Sequence, residues 1–563
     1  MQSFVSFENR AASDISVNVA HYLNTMARVQ PYRRAVVAPT ARDSHGRVAY
    51  SHLTFRQLNR ESDCFAHGLV KAGIGRGVRT ILMVRPSLEF FALTFALFKV
   101  GAVPVMVDPG MGVRRMLACL RQSKAEAIIG IPPAHALRIL CPKYFKGIRT
   151  AVTVGRKWFW GGLSLRDIRA LPWRPFEIAD THSDELAAIL FTTGSTGPAK
   201  GAIYTHGVFD AQIRLIKSQF GISLDEIDLP TFPLFALFDP ALGMTAIIPD
   251  MDPTKPAKVN PERIVEAVVN HGVTNMFASP ALLDRVGRYG KAKGIKLPSL
   301  KRVISAGAPA SPANIARFAT MLTDEGEIHT GYGATEAMPV SSFGSREILE
   351  ETAELSEKGF GMCVGRPIQG IDVQIIKITD APIESWSDAE LVNEGDIGEI
   401  AVRGKIVTRG YFERPRHDAL SKIRDNGQIW HRMGDLGWQD SKGRIWFCGR
   451  KSHRVITTDQ TLFTIPCEAI FNNHPSVFRS ALVGLGAPPQ QQPVICIELE
   501  QESRNDDKAV LTRELMTLAQ EHPLTEKLET FLFHPGFPVD IRHNSKIFRE
   551  KLAVWAQRKL GDR

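Results

Sequence analysis

Apolar residues fall along the first third of the chain in two alternating textures, short continuous runs and longer helical ones. RTILMVRPS (79–87) reads as a strand, LEFFALTFALFKVGAV (88–103) as a buried helix ending at glycine, and PVMVDP (104–109) as the next strand. AEAIIGI (125–131) and TAVTVG (150–155) follow as further β runs. This alternation predicts layered α/β architecture on parallel sheets, whose strands are covered on both faces and so read as unbroken apolar runs. A second βα region spans 225–345, with PERIVEAVVNHGV (261–273) as a helix and TNMFAS (274–279) and KRVISAG (301–307) as strands.

After residue 365 the period shortens. DVQIIKITD, GEIAVRG and GRIWFCG are brief alternating strands separated by Gly and Asp, as in a small β-rich subdomain. GRKSHRV (449–455) opens a final stretch with two strands, SALVGLG and PVICIELE, and two helices. The expected organisation is a large multi-subdomain N-terminal unit over 1–449 and a small α+β C-terminal unit over 450–563. In the terminal stretch, Phe548, Leu552 and Trp555 recur at helical spacing. They predict a helix docked on the second unit, the alternative being a membrane or partner surface.

Composition narrows the class. The chain has 563 residues, of which 44% are apolar and 23% charged, as in soluble globular proteins. It contains no apolar run of membrane-spanning length and no secretory start, which supports neither a membrane span nor export. Seven scattered cysteines, none with CxxC spacing, suggest neither a disulfide framework nor a zinc ribbon, and a reducing cytoplasm is expected. The net charge of +10 comes without basic runs interleaved with stacking aromatics, so it predicts an anion-favouring surface rather than a nucleic-acid one.

The candidate chemistry begins at FTTGSTGPAKG (191–201). A Walker-type loop needs lysine directly after glycine, and here Lys200 follows Ala199. What remains is a hydroxyl-lined, glycine-rich cradle of Thr192, Thr193, Gly194, Ser195, Thr196 and Gly197. Its N–H groups could approach phosphate oxygens, with Lys200 as a point charge. By itself such a cluster reads equally well as a surface linker.

Four further segments follow it in order: SAGAP (305–309), YGATE (332–336), HRMGDLG (431–437) and GRKSHRV (449–455), with FPVDIRHNSKIFREKL (537–552) near the end. Together they resemble the signature of the acyl-adenylate-forming superfamily over almost the whole chain. The resemblance implies ATP and Mg²⁺ as cofactors and a first reaction that turns an acid and ATP into acyl-AMP and pyrophosphate. It places Gly307, Ala308, Pro309, Tyr332 and Gly333 at the adenine, Thr335 on a phosphate, and Glu336 on the metal, as a hard oxygen ligand. It gives Asp435 the ribose hydroxyls, Arg450 ribose or phosphate, and Ser452 the hinge of a mobile C-terminal lid. Lys546 would reach the carboxylate and α-phosphate and stabilise charge there.

Departures from the general pattern bear on the second step. Asp459 takes a usual glycine position, Thr461 one that is often basic, Ser545 precedes Lys546 in place of glycine, and Ala236 stands where ligases often carry histidine. TFPLFALFDPALG, IPDMDPTKPA, FASPALL, FCGRKSHRV and HPGFPVDIRHNSKIFREKLAVWA resemble one branch, the olefin β-lactone synthetases. That likeness implies a 2-alkyl-3-hydroxyalkanoic acid, activated as acyl-AMP and closed through its own 3-hydroxyl to a β-lactone. It also implies pathway partners: a thiolase-like condensing enzyme, a reductase and an α/β-hydrolase-fold decarboxylase. Phe232, Phe235, Leu237 and Phe238 are the expected wall of the acyl pocket. A general base remains open between His431, His543 and neither, since both read equally as structural. The competing functions are a long-chain acyl-CoA ligase and a nucleotide-binding assembly subunit without catalysis.

Overall fold

The computed structural model describes residues 16–192, 199–232, 236–540 and 547–561. Two large sheets carry the N-terminal part. The seven-stranded sheet runs Leu163–Ser164, Thr150–Thr153, Ala127–Gly130, Arg79–Met83, Val103–Val107, Leu186–Thr192, Lys200–Thr205. All its neighbours are parallel except the last pair. The nine-stranded sheet is parallel through its centre, where Ile227–Pro230, Asn275–Ala278, Arg302–Ser305 and Glu327–Ala334 lie side by side. Its edges turn antiparallel. The strands read from apolar runs are all present.

The helix expected at 88–103 is Leu88–Lys99, buried from Phe90 onward. Ser87 caps it by accepting the Phe90 N–H, and Gly101 just beyond adopts φ +69°. Burial on every side brings the terminal Lys99 inside, where its side chain is 1% exposed. Its ammonium donates to Asp63 Oδ1 at 2.6 Å, and to the backbone and side-chain oxygens of Asn59 at 3.0 and 2.9 Å. Burial pulls this amine below its ordinary pKa while the Asp63 charge opposes the shift.

The β-rich subdomain after residue 365 is a six-stranded antiparallel sheet centred on the long strand Gln428–Gln439. Its strand Ile445–Arg450 ends at Arg450, and a 3-10 turn, Lys451–His453, follows at once. Arg450, assigned by the sequence to the second unit, thus belongs to this sheet.

The final stretch has three more strands and one more helix than its sequence suggested; Val455–Ile456 and Thr461–Leu462 pair as a short two-stranded sheet. Phe531–Phe533 joins Val477–Leu485 and Gln492–Leu499 in a three-stranded sheet, and Thr464–Asn472 is helical. The helix Thr464–Asn472, where the sequence had suggested no element, tolerates its proline in the first turn, where no intrahelical N–H is lost. The terminal helix Arg549–Gly561 docks: Leu552 and Ala556 are buried against Ala481, Val483 and Cys496. All seven cysteines are unbridged and six are buried. Among the described residues no helix is long and apolar enough to cross a membrane.

Asp63→Ala would strand the Lys99 ammonium in the core, and losing one partner of a buried pair costs about 3–5 kcal/mol. Urea unfolding followed by tryptophan fluorescence is expected to show a loss of that size.

Candidate active site

A cavity of about 1560 Å³ opens between the two large sheets and the six-stranded one, and the predicted site residues converge on it. Glu327–Ala334 and Ala337–Gly344 form a hairpin in which Ala334 faces Ala337, so Thr335 and Glu336 are its two-residue tip. That tip is held from outside its own sheet. The Tyr204 hydroxyl, from the seven-stranded sheet, donates to the Thr335 carbonyl at 2.6 Å. The Thr408 N–H and hydroxyl donate to the Glu336 carbonyl at 2.8 and 3.1 Å. The Tyr411 hydroxyl donates to Glu336 Oε1 at 2.6 Å. Lys422, buried behind, donates to the Thr408 carbonyl at 2.5 Å, and burial lowers its amine to about 7.

Across the cavity mouth, Asp435 and Arg450 lie opposite each other on adjacent strands. Arg450 Nη1 stands 2.9 Å from Asp435 Oδ1, and the Tyr332 hydroxyl donates to Asp435 Oδ2 at 2.9 Å. Burial, then the Asp435 charge, drives the Tyr332 phenol far above its usual range, while that same charge raises Arg450. Gly434, at φ +65°, supplies the left-handed turn that brings Asp435 to this position. Lys200 lies 5.0 Å from the Tyr411 ring centre; burial lowers its pKa and the Glu336 charge resists.

The residues fit a magnesium nucleotide. Asp435 is a carboxylate held by Tyr332 and Arg450, and a carboxylate is an acceptor suited to ribose hydroxyls. No cluster of three His, Cys, Asp or Glu among the described residues could hold a metal unaided. A cation beside Glu336 would therefore complete its shell with phosphate oxygens, the usual arrangement for Mg²⁺.

The structure places Lys200, Gly307, Tyr332, Gly333, Thr335, Glu336, Arg450 and Ser452 on the cavity, together with Phe232, Leu237 and Phe238 of the expected acyl wall. Ala308, Pro309 and the buried Asp435 are not among its lining residues, Asp435 standing behind Arg450, which is. Thr193, Gly194, Ser195, Thr196, Gly197, Phe235, His543 and Lys546 lie outside the described residues, as does the Thr192 side chain. His431 is buried, its Nδ1 lies 3.1 Å from the Ser421 carbonyl, and burial holds it neutral. It also lines the cavity. Sequence reasoning missed Tyr204, Thr408, Tyr411 and Lys422, which carry no motif; a polar residue within a strand-like apolar run, as in KGAIYT, is the trace they leave.

A Cβ on Gly333 would lie 2.8 Å from the Ala337 carbonyl oxygen. Gly333→Ala is expected to push the hairpin strands apart and weaken AMP binding about tenfold by calorimetry, with overpacking of about 1–3 kcal/mol confined to the site.

Comparison with known proteins agrees with this geometry. Residues 23–412 match the AMP-binding enzyme family. The chain is 46% identical to an olefin beta-lactone synthetase of Stenotrophomonas maltophilia, covering 97% of this chain and 99% of that one. It is 45% identical to another from Xanthomonas campestris, covering 96% and 97%. In fold it resembles the O-succinylbenzoate coenzyme A synthetase of Bacillus subtilis in complex with ATP and magnesium ion, with a TM-score of 0.73 at 19% identity over 94% of this chain and 98% of that one. With its hairpin tip, its Asp435–Arg450 pair and near full-length likeness to two synthetases, the chain belongs to the AMP-binding enzyme family, in the branch of the olefin beta-lactone synthetases.

Proposed function

We propose that this protein is an ATP-dependent β-lactone synthetase acting on 2-alkyl-3-hydroxyalkanoic acids in long-chain olefin biosynthesis. The observation that carries the reading is the 46% identity to a synthetase of that name along 97% of the chain. In the first half-reaction the acid's carboxylate attacks the α-phosphorus of ATP and pyrophosphate leaves. Asp435 and Arg450 hold the ribose end, Tyr332 packs at the base, and Thr335 donates to phosphate. Bound at Glu336, Mg²⁺ would neutralise charge on the departing pyrophosphate. Lys200 and Lys546 add positive charge along the phosphates, Lys546 arriving with the C-terminal unit. We place the division between the units at the turn Lys451–His453, with Ser452 as the hinge.

In the second half-reaction the 3-hydroxyl oxygen attacks the acyl carbonyl and AMP departs. Nucleophile and electrophile sit on one molecule, so orientation replaces a second bound substrate; such tethering reaches effective molarities of ~10⁵–10⁸ M. The cavity's apolar walls, Phe232, Leu237 and Phe238 and across to Phe209 and Phe98, suit alkyl chains and keep water from the adenylate. Ala236, fully enclosed, leaves no imidazole where thiol-using ligases often carry one. The expected setting is the cytoplasm, beside a thiolase-like condensing enzyme, a reductase and an α/β-hydrolase-fold decarboxylase.

Incubation with ATP, Mg²⁺ and a synthetic 2-alkyl-3-hydroxy acid, with and without coenzyme A, tests the reading by mass spectrometry. A β-lactone with AMP in the absence of the thiol is expected; a thioester formed only in its presence would overturn it. Asp435→Asn weakens a charge-assisted contact of about 1.5–3 kcal/mol, so the KM for ATP is expected to rise roughly 10- to 100-fold in the same assay.

A further inference from the structure

Two aspartates face the acyl end of the cavity and no step above uses them. Asp228 sits on the strand Ile227–Pro230, opposite Asn275 of the neighbouring strand. Asp239 sits on the short helix Phe238–Leu242, three residues beyond Ala236. They are 6% and 3% exposed, and both line the cavity. Their carboxyl groups are within hydrogen-bonding reach of each other. Asp239 Oδ2 has no hydrogen-bond partner among the described residues.

The surroundings do not neutralise this pair. The nearest cation, Arg302, is bound to Glu226 at 2.7 Å and also donates to Asn275, whose amide in turn donates to Glu226. Within that trio the charges of Glu226 and Arg302 act on Asp228 in opposite directions. Every other buried ion pair named here matches acid with base, whereas these two acids face each other. Burial lifts both above the ordinary carboxylate range; the contact between them holds Asp228 down, at about 7, while the Asp228 charge raises Asp239 further. Two such carboxyls cannot both ionise cheaply, so Asp228 gives up its proton first and the pair then carries one negative charge, Asp239 keeping its proton. Unpaired buried acids are poor stabilisers of a fold, and at a cavity wall they indicate function.

We infer that Asp228 and Asp239 form a proton-accepting subsite of the acyl cavity that holds the substrate's 3-hydroxyl and removes its proton as the lactone closes. The inference rests on the β-lactone reading above. The hydroxyl O–H breaks as its oxygen bonds to the acyl carbon, and the bond from that carbon to the AMP oxygen breaks with its electron pair leaving on AMP. The proton passes to the ionised carboxyl of the pair and from there to solvent once product departs. Before chemistry, the same oxygens accept the hydroxyl's hydrogen bond, so the subsite also selects 3-hydroxy acids over their 3-deoxy counterparts.

The test uses the full-length protein, Asp239→Asn and, as a second variant, Asp228→Asn. ATP–pyrophosphate exchange reports adenylation, and lactone release reports closure. With a 2-alkyl-3-hydroxy acid, lactone release is expected to fall about 10²- to 10⁴-fold, the usual worth of a positioned base, while exchange persists. With the 3-deoxy acid, exchange is expected to stay near the wild-type rate, which also certifies folding. The wild-type closure rate should climb with pH through about 7 as Asp228 ionises, and this climb should vanish in the variants. Unchanged lactone release, or equal loss of exchange with both acids in both variants, would overturn the inference. If the wild type makes only a thioester, the β-lactone reading fails on its own. The subsite then stands or falls on whether the wild type's exchange KM favours the hydroxy over the deoxy acid and Asp239→Asn abolishes that preference.

Discussion

Asp435 is the point on which the layers of the molecule depend. Its two oxygens reach a tyrosine of the nine-stranded sheet and an arginine of the six-stranded one, 2.9 Å away in each case. A charge-assisted bond of this kind is about twice as strong as a neutral one, and it tolerates little displacement. The hairpin carrying Tyr332 also carries Thr335 and Glu336, so fixing the ring fixes the hairpin tip. Tyr204 and Tyr411 complete the frame from two further directions. The site is therefore a junction between sheets, with no single element forming it.

Buried charge is treated in two ways across the fold. Lys99 with Asp63, Arg432 with Glu399, and Arg549 with Glu468 are enclosed pairs of opposite sign at 2.6 to 2.7 Å. Each is satisfied locally, which suits a structural role, although Arg432 and Glu399 also line the cavity. The two aspartates of the acyl cavity have no such counterpart. The contrast separates groups that organise the core from groups kept ready for exchange with a ligand.

Much of this was legible in the chain. The parallel strands announced themselves as unbroken apolar runs, because strands covered on both faces lose polar alternation. The buried helix Leu88–Lys99 did so too, with Ser87 and Gly101 marking its ends. The motif residues could be named because glycine, hydroxyl and carboxylate are each tied to a backbone or ligand requirement. Other features were hidden by distance along the chain. Tyr204 and Tyr411 belong to the site only because separate sheets meet there. Asp228 and Asp239 look like ordinary turn-flanking acids until the fold puts one beside the other. The helix Thr464–Asn472 escaped notice, and its proline occupies the first turn.

The position of Arg450 has a mechanical consequence. It closes a strand whose pairing with Asp435 is part of the sheet, and Lys451 next to it is tied to Glu399 at 3.0 Å and to the Thr379 carbonyl at 2.9 Å. The connection is thus clamped through Lys451, and Arg454 beyond it is tied to Asp380 at 2.6 Å. Were the C-terminal unit to pivot at Ser452, as proposed, the pair of Arg454 with Asp380 would be the contact to give, while the post at Lys451 would pass little torque to the sheet that carries Asp435.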